Sequence, residues 1–122
     1  MKIPENYLPV MPYLILDKAA DFFEYAKTVF NAREQFILPS EDGGIMHGEI
    51  KIHDAVIMFA NSTDTWKQKP SGMFLFVDNV DSVYAKAIEK GGTELQPPQE
   101  KDYGYTAGFE DPFGNQWWLN QG

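Results

Sequence analysis

One motif occurs twice in this chain. PYLILDKAADFFEYAKTVFNA begins at Pro12 and MFLFVDNVDSVYAKAIEKGGT at Met73; aligned on Asp17 and Asp78, the copies are offset by 61 residues. Each copy is a short apolar run, an aspartate, then apolar residues at helical spacing: Ala19, Phe22, Phe23, Ala26, Val29 and Phe30 in the first, Val80, Val83, Tyr84, Ala87 and Ile88 in the second. Asp17 and Asp78 stand at the strand-to-helix junctions, where a carboxylate can cap free amides. Gly91-Gly92 stops the second helix. Three strands are expected after each helix: Arg33 to Leu38, Ile45 to Ile52 and Ala55 to Ala60, then Thr93 to Gln96, Tyr103 to Glu110 and Asn115 to Asn120. His53-Asp54, Pro97-Pro98 and Asp111-Pro112-Phe113-Gly114 supply the punctuation. At the same offset Gly43 falls on Gly104, Glu49 on Glu110 and Asp54 on Asn115.

Each half therefore reads β-α-β-β-β, and the fold class is α+β. A polar connection, NSTDTWKQKPS from Asn61 to Ser71, sets the modules at 1–62 and 72–122 with 63–71 between them. A repeat of this kind means units that cannot each bury an apolar face alone. The expectation is one structural domain, a curved mixed sheet around a central cleft.

The 122 residues suit one compact domain. Without cysteine, disulfides, thiolate metal sites and cysteine nucleophiles are excluded. A net charge of −8 and no local basic patch argue against nucleic acid. MKIPENYLPV lacks the apolar run of a signal peptide and no stretch has the length of a membrane span, so a cytoplasmic location and no membrane partner are expected. Phosphate-binding glycine loops, nucleophile elbows and dinucleotide fingerprints are absent.

The paired modules, PYL in the first strand, VFNA closing the first helix, HGEIKIHDAVIMFA in the middle and GFEDPFGNQWWL at the end together resemble the vicinal oxygen chelate superfamily, and within it the PhnB-like or bleomycin-resistance-like subgroup. That superfamily includes glyoxalase I, extradiol dioxygenases, fosfomycin-resistance enzymes and bleomycin-resistance binding proteins. The resemblance implies four metal-ligand positions, two per module, which fall on Met11, Ile57, Gly72 and Trp118. A divalent ion needs imidazole nitrogen or carboxylate oxygen there, and none of the four supplies it. A one-residue shift (Val10 or Pro12, Met58, Ser71 or Met73, Trp117 or Leu119) does no better. No metal and no other cofactor is expected.

Strand alternation extends the wall of the expected cleft to Tyr13, Ile15, Phe59, Asn61, Phe74, Phe76, Gln116 and Asn120. Its rings suit a flat or cationic ligand. The residues expected to line the site are Trp118, Phe59, Phe74, Phe76 and Tyr105, joined by Tyr13, Asn61 and Trp66. Alternation sends Trp117 and Trp118 to opposite faces, one into the core and the other toward the cleft. Trp66 can cover the pocket mouth, meet a dimer partner or rest on the surface. Tyr103 and Tyr105 can donate to a ligand carbonyl, gate the cleft or pack.

His47 and Glu49 share one face of a strand. They can form an acid–base pair or part of a displaced metal site, or stand in solvent or at a subunit contact while Met46, Ile50 and Ile52 pack inward. His53 and Asp111 read as turn residues. The favoured function is sequestering of a small planar or cationic compound without chemistry, and the resemblance implies a homodimer. The alternatives are a lyase, isomerase or dioxygenase using unusual ligands or no metal, and a subunit whose pocket is vestigial.

Overall fold

The computed structural model describes residues 1–122. They divide into two compact units, Met1–Pro70 and Ser71–Gly122, each a repeat of the other in layout. The first contains β1 (Tyr13–Leu16), α1 (Ala19–Phe30), β2 (Arg33–Pro39), β3 (Ile45–Ile52) and β4 (Ala55–Asn61), with sheet order β1-β4-β3-β2. The second contains β5 (Gly72–Val77), α2 (Val80–Glu89), β6 (Thr93–Lys101), β7 (Gly104–Glu110) and β8 (Gln116–Gln121), ordered β5-β8-β7-β6. In both, the first strand runs parallel to the last, and the remaining pairs are antiparallel. The parallel pair follows from the helical crossover, which returns the chain to the same end of the sheet.

In the first unit, α1 buries Ala19, Phe22, Ala26, Val29 and Phe30, the stripe set by helical spacing. Phe22 packs edge-on against Phe59 of β4, ring centroids 5.3 Å apart, and both are fully buried. Such burial contributes about 1.5–3 kcal/mol per ring. Gly48 on the neighbouring β3 makes room for Phe59: a Cβ there would lie 2.5 Å from the ring. α1 ends at Asn31, whose φ of 58° suits a residue that tolerates the left-handed region.

The aspartate caps do not form. Lys18 occupies the N-cap position of α1 and makes no side-chain cap. Asp17 lies one residue too early, and its carboxylate accepts from the Ser62 hydroxyl at 2.6 Å. In the second unit Asn79, not Asp78, caps α2 by accepting from the Ser82 amide at 3.0 Å.

In that second unit Asp111 organises the DPFGN turn. Its Oδ1 accepts from the backbone amides of Phe113 and Asn115, both at 2.9 Å. Oδ2 accepts from Asn115 Nδ2 and from the Trp117 indole Nε1, again both at 2.9 Å. Asp111, Asn115 and Trp117 are all buried. Asn115 Oδ1 in turn accepts from the Ser71 amide at 3.0 Å, tying the turn to the chain entering β5. Trp117 is therefore core on the α2 side, its N–H satisfied by the turn's carboxylate.

Two further expectations are corrected by register. Tyr13 pairs with Met58 and Phe74 with Trp118, so the 61-residue offset relating β1 to β5 has become 60 between β4 and β8. The second unit is one residue shorter than the first between these strands, and a one-residue slip exchanges faces. Strand β6 does not stop at Gln96 but runs to Lys101. Pro97 and Pro98 sit within it as an irregularity, because Gln96 pairs with Gly108 and Gln99 with Thr106.

Candidate functional site

The sheet face of the first unit away from α1 carries the polar chemistry. Leu14, Leu16, Ile50, Ile52, Ile57 and Phe59 are all buried, and alternation leaves Tyr13, Ile15, His47, Glu49 and Met58 on the opposite face. Glu49 is only 3% exposed there. Its carboxylate accepts from the Tyr7 hydroxyl (2.9 Å to Oε1, 3.1 Å to Oε2), from Gln35 Nε2 (3.1 Å) and from His47 Nε2 (2.8 Å). Burial pushes the Glu49 carboxyl up, but the hydrogen bonds from His47, Gln35 and Tyr7 outweigh it and hold the group below its ordinary value. Donating to that carboxylate, with lesser contributions from desolvation and charge, pushes the Tyr7 phenol up.

An ionised carboxylate only accepts, so in the neutral imidazole the proton is on Nε2 and Nδ1 is an acceptor. Nδ1 faces the Tyr13 hydroxyl at 3.1 Å. The result is a continuous chain, Tyr13 to His47 to Glu49. The imidazole is flanked by Tyr13, ring centroids 5.6 Å apart, and Phe36, 6.2 Å away. Of the two sequence readings of His47 and Glu49, the structure rejects solvent exposure for Glu49. Ile50 and Ile52 do pack inward, but Met46 is exposed, since a register shift opposite Leu38 and Pro39 leaves it unpaired. Tyr7 and Gln35 were missed: they lie 42 and 14 residues from Glu49, and no local spacing marks them.

Beside this chain lies a cavity of about 500 Å³ lined by Tyr13, Ile15, Met46, Ala60, Asn61, Thr63 and Trp66. That size falls in the range of small-molecule pockets. Lys69 and Ile15 exchange backbone hydrogen bonds of 2.7 and 3.3 Å, bringing the segment after β4 back along β1. A tight turn, Thr63 N–H to Trp66 O at 2.8 Å and Trp66 N–H to Thr63 Oγ1 at 2.9 Å, holds Trp66 at the cavity. Trp66 is 68% exposed. Tyr13, Asn61 and Trp66 are thus brought together. The Asn61 amide is already committed, accepting from the Ile45 amide at 2.6 Å and donating to the Asp17 carbonyl at 3.0 Å.

In the second unit Trp118 lies on the sheet face away from α2, across Gly108, where a Cβ would come within 2.3 Å of the indole. Phe74 and Phe76 are more than half exposed and pack edge to face at 5.3 Å. Gln116 is exposed, and Asn120 is buried with Nδ2 donating to the Tyr103 carbonyl at 3.3 Å and Oδ1 without a partner.

Two expected lining residues belong elsewhere. Phe59 is core beneath α1. Tyr105 reaches α2, donating to Asp81 at 2.7 Å, and that hydrogen bond, then burial and charge, push its phenol up. Tyr103 is exposed and His53 holds a turn with φ of 53°.

The same register corrects the metal-ligand frame. Ile57 is buried on the α1 face, and the counterpart of Trp118 on the open face is Met58. Met11, Met58, Gly72 and Trp118 offer thioethers, no side chain and an indole. These do not fit a divalent ion, and nowhere do three His, Asp or Glu side chains gather as a metal site requires.

Residues 15–119 match the sequence profile of the Glyoxalase/Bleomycin resistance protein/Dioxygenase superfamily. An uncharacterised Mycobacterium bovis protein, Mb0911c, is 25% identical over 122 residues, covering 90% of this chain and 80% of that one. Among solved structures, a PhnB protein from Bacillus cereus superposes with a TM-score of 0.79 at 15% identity, covering 94% of this chain and all of that one. TnmS3, an antibiotic binding protein from Streptomyces sp. CB03234, superposes with a TM-score of 0.67 at 24% identity, covering 94% and 98%. No helix is long and apolar enough to cross a membrane.

Proposed function

The chain belongs to the Glyoxalase/Bleomycin resistance protein/Dioxygenase superfamily, and we propose that within it this protein binds a small planar compound without a metal. The observation that carries this reading is the cavity of about 500 Å³ with Tyr13 and Trp66 in its wall. An exposed indole and a half-exposed phenol offer π faces to a flat ring, and to a cation above it. The net charge of −8 favours a neutral or cationic ligand over an anion. At about 25 cal/mol per Å² of apolar area, a few hundred Å² of ring surface supplies several kcal/mol before ordering costs. The TnmS3 likeness supports the fold's use as a binding scaffold. The thioether and indole side chains at the superfamily's metal positions support binding without an ion. The protein is proposed to act as a homodimer, which sedimentation checks against a chain mass of 13.9 kDa.

The test is a tryptophan-fluorescence titration with flat aromatic cations such as acriflavine and berberine, repeated by calorimetry. Saturable binding weakened about tenfold or more by Trp66→Ala, equivalent to ~1.4 kcal/mol, supports the reading. Equal affinity in the variant, or no binding by any compound, overturns it.

A further inference from the structure

We propose that Asp17 is a positioning residue for the pocket: without lining it, Asp17 fixes the segment that carries Trp66 and so sets the affinity for a flat ligand. This rests on the pocket reading above and accounts for an exposed indole being in place before anything binds. Asp17 is not in the cavity wall, yet it holds both stems of the Trp66 segment. On the incoming side its carboxylate accepts from the Ser62 hydroxyl at 2.6 Å, and its carbonyl accepts from Asn61 Nδ2 at 3.0 Å. On the outgoing side its backbone amide donates to Gln68 Oε1 at 2.8 Å. The residues just before it act alongside, with the Leu16 carbonyl accepting from the Ser62 amide at 2.9 Å and Ile15 pairing with Lys69.

Between these stems, residues 63–67 are exposed, and their only hydrogen bonds are the two of the Thr63–Trp66 turn. A tip of this kind keeps its place only as far as its stems are fixed. Ordering backbone and side chain costs conformational entropy, and whatever is ordered beforehand is not subtracted from the binding free energy. The repeat supplies an internal comparison. Asp78 stands where Asp17 does, but it is exposed, its side chain makes no hydrogen bond, and α2 starts on Asn79 as cap. The β-α unit therefore folds without a bonded aspartate at this junction. What distinguishes Asp17 is the segment it holds, and that segment forms a wall of the cavity.

The test measures berberine binding by calorimetry and the order of the Trp66 indole by its nitrogen-15 heteronuclear NOE, which reports picosecond-to-nanosecond motion. Asp17→Ala should weaken berberine binding about two- to tenfold, the loss expected when one large side chain must be ordered on binding, and lower the indole NOE. Ser62→Ala combined with Gln68→Ala removes two of the contacts from their far ends and should reproduce both effects. Ser62→Thr keeps the hydroxyl and should bind as the native protein does. Where Asp17→Ala does not fold, the Ser62→Ala, Gln68→Ala variant carries the same comparison. The deciding measurement is made in Trp66→Ala: there Asp17→Ala should cause no further loss, because it acts only through the indole. An equal loss with and without Trp66 would mean that Asp17 serves the fold at large, and overturns the proposal. So does native affinity in Asp17→Ala, or an indole NOE that stays at its native value. Each of these leaves the pocket reading intact, since Trp66→Ala alone still weakens binding. Failure of the native protein to bind berberine or any other flat cation removes the pocket reading, and the role of Asp17 in affinity with it.

Discussion

Asp111→Asn changes almost no volume, yet it should be among the most damaging substitutions in the second unit. The carboxylate takes four donors: two backbone amides at Oδ1, then Asn115 Nδ2 and Trp117 Nε1 at Oδ2. An amide has one accepting oxygen and one donating NH₂, so in either rotamer two buried donors face another donor. Each hydrogen bond to a charged acceptor is worth about 1.5–3 kcal/mol, and two are lost. Together these two losses come to about 3–6 kcal/mol, so ~4 kcal/mol is expected, a large share of the about 5–15 kcal/mol typical of a whole domain. With m near 2 kcal/mol/M, the urea midpoint should fall by about 2 M. The assay is urea unfolding followed in parallel by tryptophan fluorescence and far-UV circular dichroism. Trp117→Phe removes one of the stranded donors, so the double variant should cost less than the sum of the singles by about 1–2 kcal/mol. A loss under about 1 kcal/mol with unchanged m, or strict additivity in the cycle, would refute the argument that this carboxylate holds the turn.

Gly108→Ala places a methyl 2.3 Å from the Trp118 ring, so the indole must swing away. A cost of about 1–3 kcal/mol is expected in urea unfolding, relieved by adding Trp118→Leu. For Glu49 the sign follows from its lowered value: its contribution is fully present above the ordinary glutamate value of 4.5 and is lost as pH falls through the lowered one. Glu49→Gln should therefore be less stable than the native protein near neutral pH, and urea midpoints of the two should converge in acid. A constant gap across that range would show that the carboxylate's charge is not what stabilises it.

Much of the fold was legible because two periodicities agree. Apolar residues at helical spacing marked α1 and α2, and alternating runs marked the strands around them. What failed was orientation. Ala55 to Ala60 is apolar on both faces, so nothing local says whether Ile57 and Phe59 or Met58 and Ala60 turn toward the helix, and an assumed constant offset chose wrongly. The offset broke before β6, which starts 60 rather than 61 residues after β2, because α2 is two residues shorter than α1. The site was half legible. His47 and Glu49 stood on one face as alternation requires, but burial of Glu49 depends on Tyr7, folded over it from far along the chain. Tyr105 was misplaced because its reach to Asp81 crosses from strand to helix, a contact with no signature in spacing.

The prolines inside β6 have a consequence for solubility. An outermost strand presents a row of unsatisfied amides to which another chain can add, the usual route to fibrous aggregates. Pro97 and Pro98 have no N–H to offer and interrupt the ladder midway along this border, so an incoming strand finds no continuous template there, even though Leu95 beside them is 42% exposed. What reads in the sequence as an interruption is, in the folded protein, a guard against runaway polymerisation.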